Sequence, residues 1–310
     1  MKQKNSLLGA LLCLTAAIVW GLAFSAQAIA LEHLGAATLN AARCLIAGFV
    51  LIPVILLFDR KTERRLFSVK SGKLRLDIRK KEWLGGAVCG VFLSVATILQ
   101  QLGIATEETD AGKAAFITTL YVVIVPLFGL LRGKFPSLRI WLCIAAAVVG
   151  LYLLAVPVTE GGFSLRLAYG DLLVLACAVV FSLHVIAIDI FSEGTDGIRL
   201  SCVQFFTSAA VSSLVMLFTE APTLTGLWAA VLPTLYLAVF SSGVAYTCQI
   251  VGQQHLDVSI APIILSLESV FGLVGGAIFL GETKTPLQYV GCAVVLAAVI
   301  LSQLKARKKR

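Results

Sequence analysis

Four kinds of polar side chain capable of binding or moving charge interrupt the apolar runs of this chain: a carboxylate, Glu268; a guanidinium, Arg43; an imidazole, His184; and amides that include Gln204 and Gln249. Glu268 stands near the middle of VSIAPIILSLESVFGLVGGAIFLGE, residues 258–282, a run long enough to cross a bilayer, for which ~20 residues suffice. An acidic side chain at the centre of such a helix costs ~3 kcal/mol on insertion, so it faces protein or a wet cavity rather than lipid. Gly272, Gly275 and Gly276 follow it and form a small-residue face that admits a second backbone. Two chemistries fit Glu268: a protonated acid hydrogen-bonded to a neighbouring helix, or a substrate or proton site. The second takes precedence because intramembrane ionisable groups mark function by default.

Arg43 lies about a third of the way into its run with Asn40 on the same face, either buried in the bundle or snorkelling to the surface. It suits substrate binding, a structural hydrogen-bond clamp or a structural pairing with Glu268. His184 has the chemistry to pass a proton near neutral pH or to bond a neighbouring helix. Trp20, at mid-helix, is a packing residue or the wall of an apolar pocket. Tyr121, Gln249, Gln100, Gln101 and Tyr246 need partners in hydrocarbon, so they join helices or line a cavity. Asp171, Asp189 and Glu282 fall near helix ends and read as interfacial or capping carboxylates. Pro126 and Pro233 interrupt helix hydrogen bonding inside their runs.

The elements that position these groups are membrane helices. The chain is 59% hydrophobic and 14% charged with a mean hydropathy of +0.95, the balance of an integral membrane protein. Its net charge of +8 sits in short segments between apolar runs, which argues against a nucleic-acid partner. Ten runs follow in order: 7–30, 36–58, 83–105, 114–131, 138–156, 170–191, 200–219, 226–250, 258–280 and 286–304. The first resembles a signal peptide, with an AxA at Ala26–Ala28, but is longer than a signal core and is expected to remain as a helix. With the N-terminus inside, 21 of 25 Lys and Arg fall on the inner side, three on the outer, and Arg43 within a span. Both termini are therefore expected to be cytoplasmic, in the cytoplasmic (plasma) membrane. The basic loop 59–82 and tail 305–310 serve as topology determinants or contact anionic headgroups.

A shift of 161 residues lays 14–58 on 175–219 with eleven identities, among them Ala17 with Ala178 and Val54 with Val215, and pairs Arg43 with Gln204 and Trp20 with Phe181. Beyond the basic loop the shift becomes 148, pairing Gly133 with Gly281 and Trp141 with Tyr289. Two halves of five helices, 7–156 and 170–304, result; an odd number per half turns them opposite ways in the membrane. The expected fold is an all-α integral membrane protein of ten transmembrane helices in two inverted five-helix repeats.

Several stretches resemble the EamA-type permeases of the drug/metabolite transporter superfamily. They are AAIVWG (16–21), TLNAARCLIAG (38–48) and AAFITTLYVVIVPL (114–127) in the first half, and GDLLVLACAVVFSL (170–183), LSLESVFGLVGGAIFLGE (265–282) and TPLQYVG (285–291) in the second. Two features depart from that pattern: Gly133–Lys134 where a Gly-Glu pair is usual, and Leu267–Glu268–Ser269 where Leu-Glu-Pro is usual. The resemblance implies a secondary transporter of a small metabolite, amino acid or drug-like compound, working by alternating access and in the efflux direction. An uptake permease, an organic-cation efflux pump and a non-transporting scaffold are the alternatives. The candidate binding or coupling residues are Glu268, Arg43, Trp20, His184, Gln204, Tyr121 and Gln249, with protons as the candidate coupling ion. No cofactor, metal or catalytic group is expected: HExxH and phosphate-loop motifs are absent, the eight cysteines form no CxxC, and Ser242 lacks a suitably placed histidine.

Overall fold

The computed structural model of the chain describes residues 5–60, 64–70, 73–106, 109, 111–155, 168–279 and 285–304. Among these residues are ten apolar helical runs. Eight are long and apolar enough to span a bilayer, and two shorter ones, Leu138–Leu154 and Ala261–Gly275, take the fifth and ninth places. The protein is a multi-pass, all-α membrane protein. In a bilayer core every backbone group must be satisfied internally, and the helices do this.

The first half contains α1 (Ser6–Leu31), α2 (Ala36–Asp59), α3 (Lys80–Ile104), α4 in two segments (Ala111–Thr119 and Tyr121–Leu131) and α5 (Leu138–Ala155). The second contains α6 (Tyr169–Phe191), α7 (Gly197–Thr219), α8, α9 in two segments (Ala261–Leu265 and Leu267–Phe279) and α10 (Pro286–Gln303). Helix α8 is compound: Leu224–Ala229 and Val231–Tyr236 lead into a ten-residue π-helix, Leu237–Tyr246, and an α-helical end, Thr247–Gln253. The loop between α2 and α3 folds into an antiparallel ribbon of β1 (Phe67–Lys70) and β2 (Lys73–Leu76), with Val69 opposite Leu74. Arg64 anchors this loop, bonding Glu82 at 2.9 Å and Asp77 at 3.3 Å. The bonds from Glu82 push the Arg64 guanidinium pKa above its usual range.

The repeat is visible in the helix bounds. A shift of 161 carries 36–59, the span of α2, onto 197–220, and a shift of 148 carries 138–155 onto 286–303, the bounds of α5 and α10. The direction of neighbouring helices follows from their ion pairs. Lys113 meets Asp171 at 2.5 Å where α4 and α6 begin, and Arg132 and Lys134 meet Asp189 at 3.1 and 2.5 Å where both end, so the two run parallel.

Helix starts carry their own signals. Asn5 accepts from Leu8 N at 3.2 Å, Asp196 from Ile198 N at 3.0 Å, and Thr285 from Gln288 N at 3.4 Å with Pro286 at the first helical position. Helix α2 differs, because its cap is Gly35, which has no side-chain oxygen to offer. Glu220 at the far end of α7 supplies both oxygens instead, accepting from Ala37 N and Thr38 N at 2.8 Å each. A Cβ on residue 35 would collide with that carboxylate, which explains the glycine. The interior is built from small residues, Cys13, Ala16 and Ala17 among them, while Leu217, Phe218 and Ile278 face outward. All eight cysteines are free thiols.

Candidate functional site

A cavity of about 40 Å³ opens at the centre of the bundle, where α1, α2, α3, α4, α6, α8 and α9 meet. At ~10–15 Å³ per molecule it has room for a few waters. Glu268 and Arg43 both line it, together with Trp20, Tyr121 and Gln249, so five of the seven candidate residues share one space. Apolar and aromatic walls come from Phe24, Phe181, Val185, Tyr246 and Leu265.

Glu268 owes its position to a break in its helix. The run expected to be continuous from 258 to 280 is divided at Ser266, whose hydroxyl turns back onto Ile263 O at 2.7 Å, and Glu268 falls in the first turn of the following segment. Carboxylates are favoured there by the exposed N–H groups and dipole of the helix start. Helix α4 is divided in the same way at Leu120, within two residues of the place related by the 148 shift. The two breaks meet: Tyr121 OH and Thr119 Oγ1 donate to Glu268 Oε1 at 3.0 and 3.1 Å, and Thr119 also meets Ser269 Oγ at 3.0 Å. Close approach of α1 completes the position. A Cβ on Gly21 would lie 2.7 Å from both Glu268 O and Gly272 N, whereas one on Gly272 would have an ordinary 3.6 Å to Gly21 O. The tight contact in the seam is therefore at Gly21, a residue outside the small-residue face read around Gly272.

Arg43 is 3% exposed and uses all three nitrogens on neutral oxygens: Nε to Ser242 Oγ at 3.0 Å, Nη2 to Ser241 Oγ at 3.0 Å, and Nη1 to Gln27 Oε1 at 3.3 Å. The π-helix matters here, because its wider turn brings two consecutive hydroxyls to one guanidinium; such segments recur at functional sites. Trp20 fastens the same segment, donating Nε1 to Ser241 O at 3.0 Å, and its ring lies 4.6 Å from that of Tyr246. The candidate ion pair between Arg43 and Glu268 is not formed. Each is held by neutral groups from other helices, so neither charge is spent on the other.

His184 and Gln204 lie outside the cavity lining. His184 Nε2 meets Gln204 Oε1 at 2.9 Å, both side chains are fully buried, and the His184 ring packs edge-on to Tyr246 at 6.0 Å. Gln204 therefore does not face Arg43 across a site, and the shared place of the two in the repeat is not a shared environment. Asn40 likewise turns to Ser212 Oγ at 2.7 Å. Asp171 takes the capping role expected of it, accepting from Ala168 N at 2.9 Å. Glu282, Gly281 and the basic tail lie outside the described residues.

Gln27, Thr119, Ser241 and the contact of Ser242 with Arg43 are not among the features expected from the sequence. A signal for Gln27 was present: Trp20, Phe24 and Gln27 fall at i, i+4 and i+7 on one face of α1. Ser241 and Ser242 carried none, since a π-helix leaves no mark in an ordinary apolar run.

Two five-helix halves around a cavity lined by a guanidinium and a carboxyl group that do not pair have the form of a membrane transporter of the two-repeat type. The match with known proteins agrees. The EamA-like transporter family model covers residues 7–156 and 168–304, and the chain belongs to that family. It is 28% identical to an uncharacterized transporter of Archaeoglobus fulgidus, over 93% of this chain and 83% of the relative. It is 26% identical to a probable terminal-alkyne amino-acid exporter of Streptantibioticus cattleyicolor, over 94% and 92%, and 27% identical to the threonine/homoserine exporter RhtA of Escherichia coli K12, over 73% and 70%. A solved crystal structure shares the fold with a TM-score of 0.74 at 18% identity, covering 95% of this chain and 96% of that one.

Proposed function

We propose that this transporter exports amino acids by alternating access, with Arg43 receiving the carboxylate and Glu268 the ammonium group or a coupling proton. The observation that carries this reading is the presence of a guanidinium and a carboxylate in one cavity without pairing, each kept by neutral donors and acceptors. A zwitterion offers one partner for each. Exchange of Ser241, Ser242 and Gln27 for a carboxylate gives the guanidinium an anionic partner that its planar fork can bind with two parallel hydrogen bonds. A permanent organic cation would meet Arg43 with like charge, which counts against the cation-pump reading. The amino-acid exporters among the similar proteins lean the same way.

The membrane face that carries the 59–82 loop is cytoplasmic in this scheme, since 10 basic residues lie in that loop. Both termini are on that side, and the two halves 7–156 and 170–304 rock about the cavity. The test is flux in proteoliposomes of purified protein with amino acids, nucleosides, sugars and organic cations, with and without an imposed pH gradient. Saturable, gradient-driven flux of amino acids supports the reading. Flux confined to another class, or none above empty vesicles, removes it.

A further inference from the structure

We infer that Gln249 is a specificity residue, and that the amino acids carried best have a side chain ending in a hydrogen-bonding group, such as a hydroxyl or carboxamide. The inference rests on the amino-acid reading above and concerns the same cavity. Its basis is an unspent amide. Among the cavity amides, Gln27 accepts from Arg43 at 3.3 Å and from Gln101 at 3.2 Å, and Gln100 donates to Thr118 at 3.0 Å. Gln249 also lines the cavity and is 2% exposed, yet its Oε1 is buried without a hydrogen-bond partner.

Buried polar atoms are nearly always partnered, and an unpartnered one costs the full desolvation of the group. Other unpartnered amide atoms, on Gln101, Gln204 and Gln253, belong to residues outside the cavity lining, so only for Gln249 among these four does the cavity offer a place from which a partner can come. Whichever way the amide is turned, its polar end requires a polar partner. Phe24, Phe181, Val185 and Leu265 supply none. With Arg43 assigned to the carboxylate and Glu268 to the ammonium group or a coupling proton, Gln249 is left to read the side chain. A site built to hydrogen-bond a substrate group rejects the analogue that lacks it far more strongly than an apolar pocket distinguishes one methylene.

The experiment is transport by reconstituted wild-type and Gln249→Leu protein of two near-isosteric pairs, serine with 2-aminobutyrate and homoserine with norvaline, using alanine as the reference. In each pair a hydroxyl is exchanged for a methyl. Wild type is expected to favour the hydroxylated member of at least one pair by about tenfold or more in kcat/KM. Gln249→Leu is expected to reduce that preference to about threefold or less; the ratio within each pair is the readout, and alanine flux serves to show that the variant folds and transports. Equal transport within both pairs by wild type, with alanine carried, overturns the inference alone; so does a preference that survives in Gln249→Leu. Absence of flux for every amino acid, alanine included, overturns the reading on which it rests as well. If the leucine variant carries no alanine, Gln249→Ala is judged by the same criteria.

Discussion

Glu220 follows Asp59 by 161 residues, the repeat interval, and the two carboxylates close opposite ends of the same helix pair. Asp59, at the end of α2, meets Arg199 in the first turn of α7 at 2.6 Å, with both side chains nearly inaccessible. Glu220, just past the end of α7, caps the first turn of α2. Inversion explains the reciprocity, since each helix ends where its partner begins.

The two closures differ in chemistry and therefore in cost. Asp59→Asn removes one of the two carboxylates that Arg199 meets, the other being Asp196, and weakens the acceptor of Leu66 N, so it should destabilise by ~2–3 kcal/mol, the scale of lost hydrogen bonds to a charged group. Glu220→Gln retains one acceptor and should cost ~0.5–2 kcal/mol, as cap losses do. Because the sites lie at opposite ends of the pair, the double variant should show the sum to within ~0.5 kcal/mol. Thermal unfolding of purified protein in one detergent checks all three, and a Glu220 effect as large as that of Asp59 would contradict the assignment.

Glu268→Gln should keep Tyr121 and Thr119 as hydrogen-bond partners and so remain folded. Its flux should lose dependence on an imposed pH gradient. Gradient-driven flux equal to wild type in that variant would exclude Glu268 as the coupling site. Tyr121→Phe, which removes one of the two donors, should retain gradient dependence with an altered pH profile.

Arg43→Gln should lower kcat/KM for amino acids by about tenfold or more, the loss expected when a charge-assisted contact of ~1.5–3 kcal/mol is removed. It should also cease to distinguish an amino acid from its carboxamide, which wild type is expected to reject. Measured in the same vesicles, continued rejection of the amide by the variant would show that Arg43 does not read the carboxylate.

Gly21→Ala should disturb Glu268 without touching its carboxylate, because the added methyl meets the Glu268 carbonyl at 2.7 Å. Overpacking of this kind costs ~1–3 kcal/mol. Gly272→Ala, with 3.6 Å available, should be tolerated. Comparing thermal stability and flux of the two variants separates backbone approach from loss of flexibility, since both substitutions reduce chain freedom alike.

The helices were legible because charge marks their ends. The run 286–304 differs from Pro286–Gln303 by one residue at its C-terminus, and the repeat shift of 148 had already matched it to 138–156. Glu268, Arg43 and Trp20 were legible because each is unusual inside an apolar run. The breaks at Leu120 and Ser266 were not, as neither position has a proline or glycine, and the polar contacts at the two breaks join residues about 148 apart in sequence. The ribbon between α2 and α3 has a local signal in the sequence, Ser71–Gly72 between two short runs, and is absent from the expectations, which treat the loop by its charge alone. Pairing of Gln204 with His184 was illegible for a different reason: a repeat shift relates positions in the fold, and side-chain partners are chosen afterwards by whichever helix lies nearest.

The size of the cavity, about 40 Å³, sets a mechanical condition on the transport cycle. A substrate the size of an amino acid would have to part helices to enter a space suited to a few waters, as a wedge does, and the displaced packing would be drawn from its binding energy. Affinity and turnover are then opposed by construction. A ligand that grips both charges but is too bulky to be enclosed would hold the wedge half driven, and would act as a blocker from the side on which it entered.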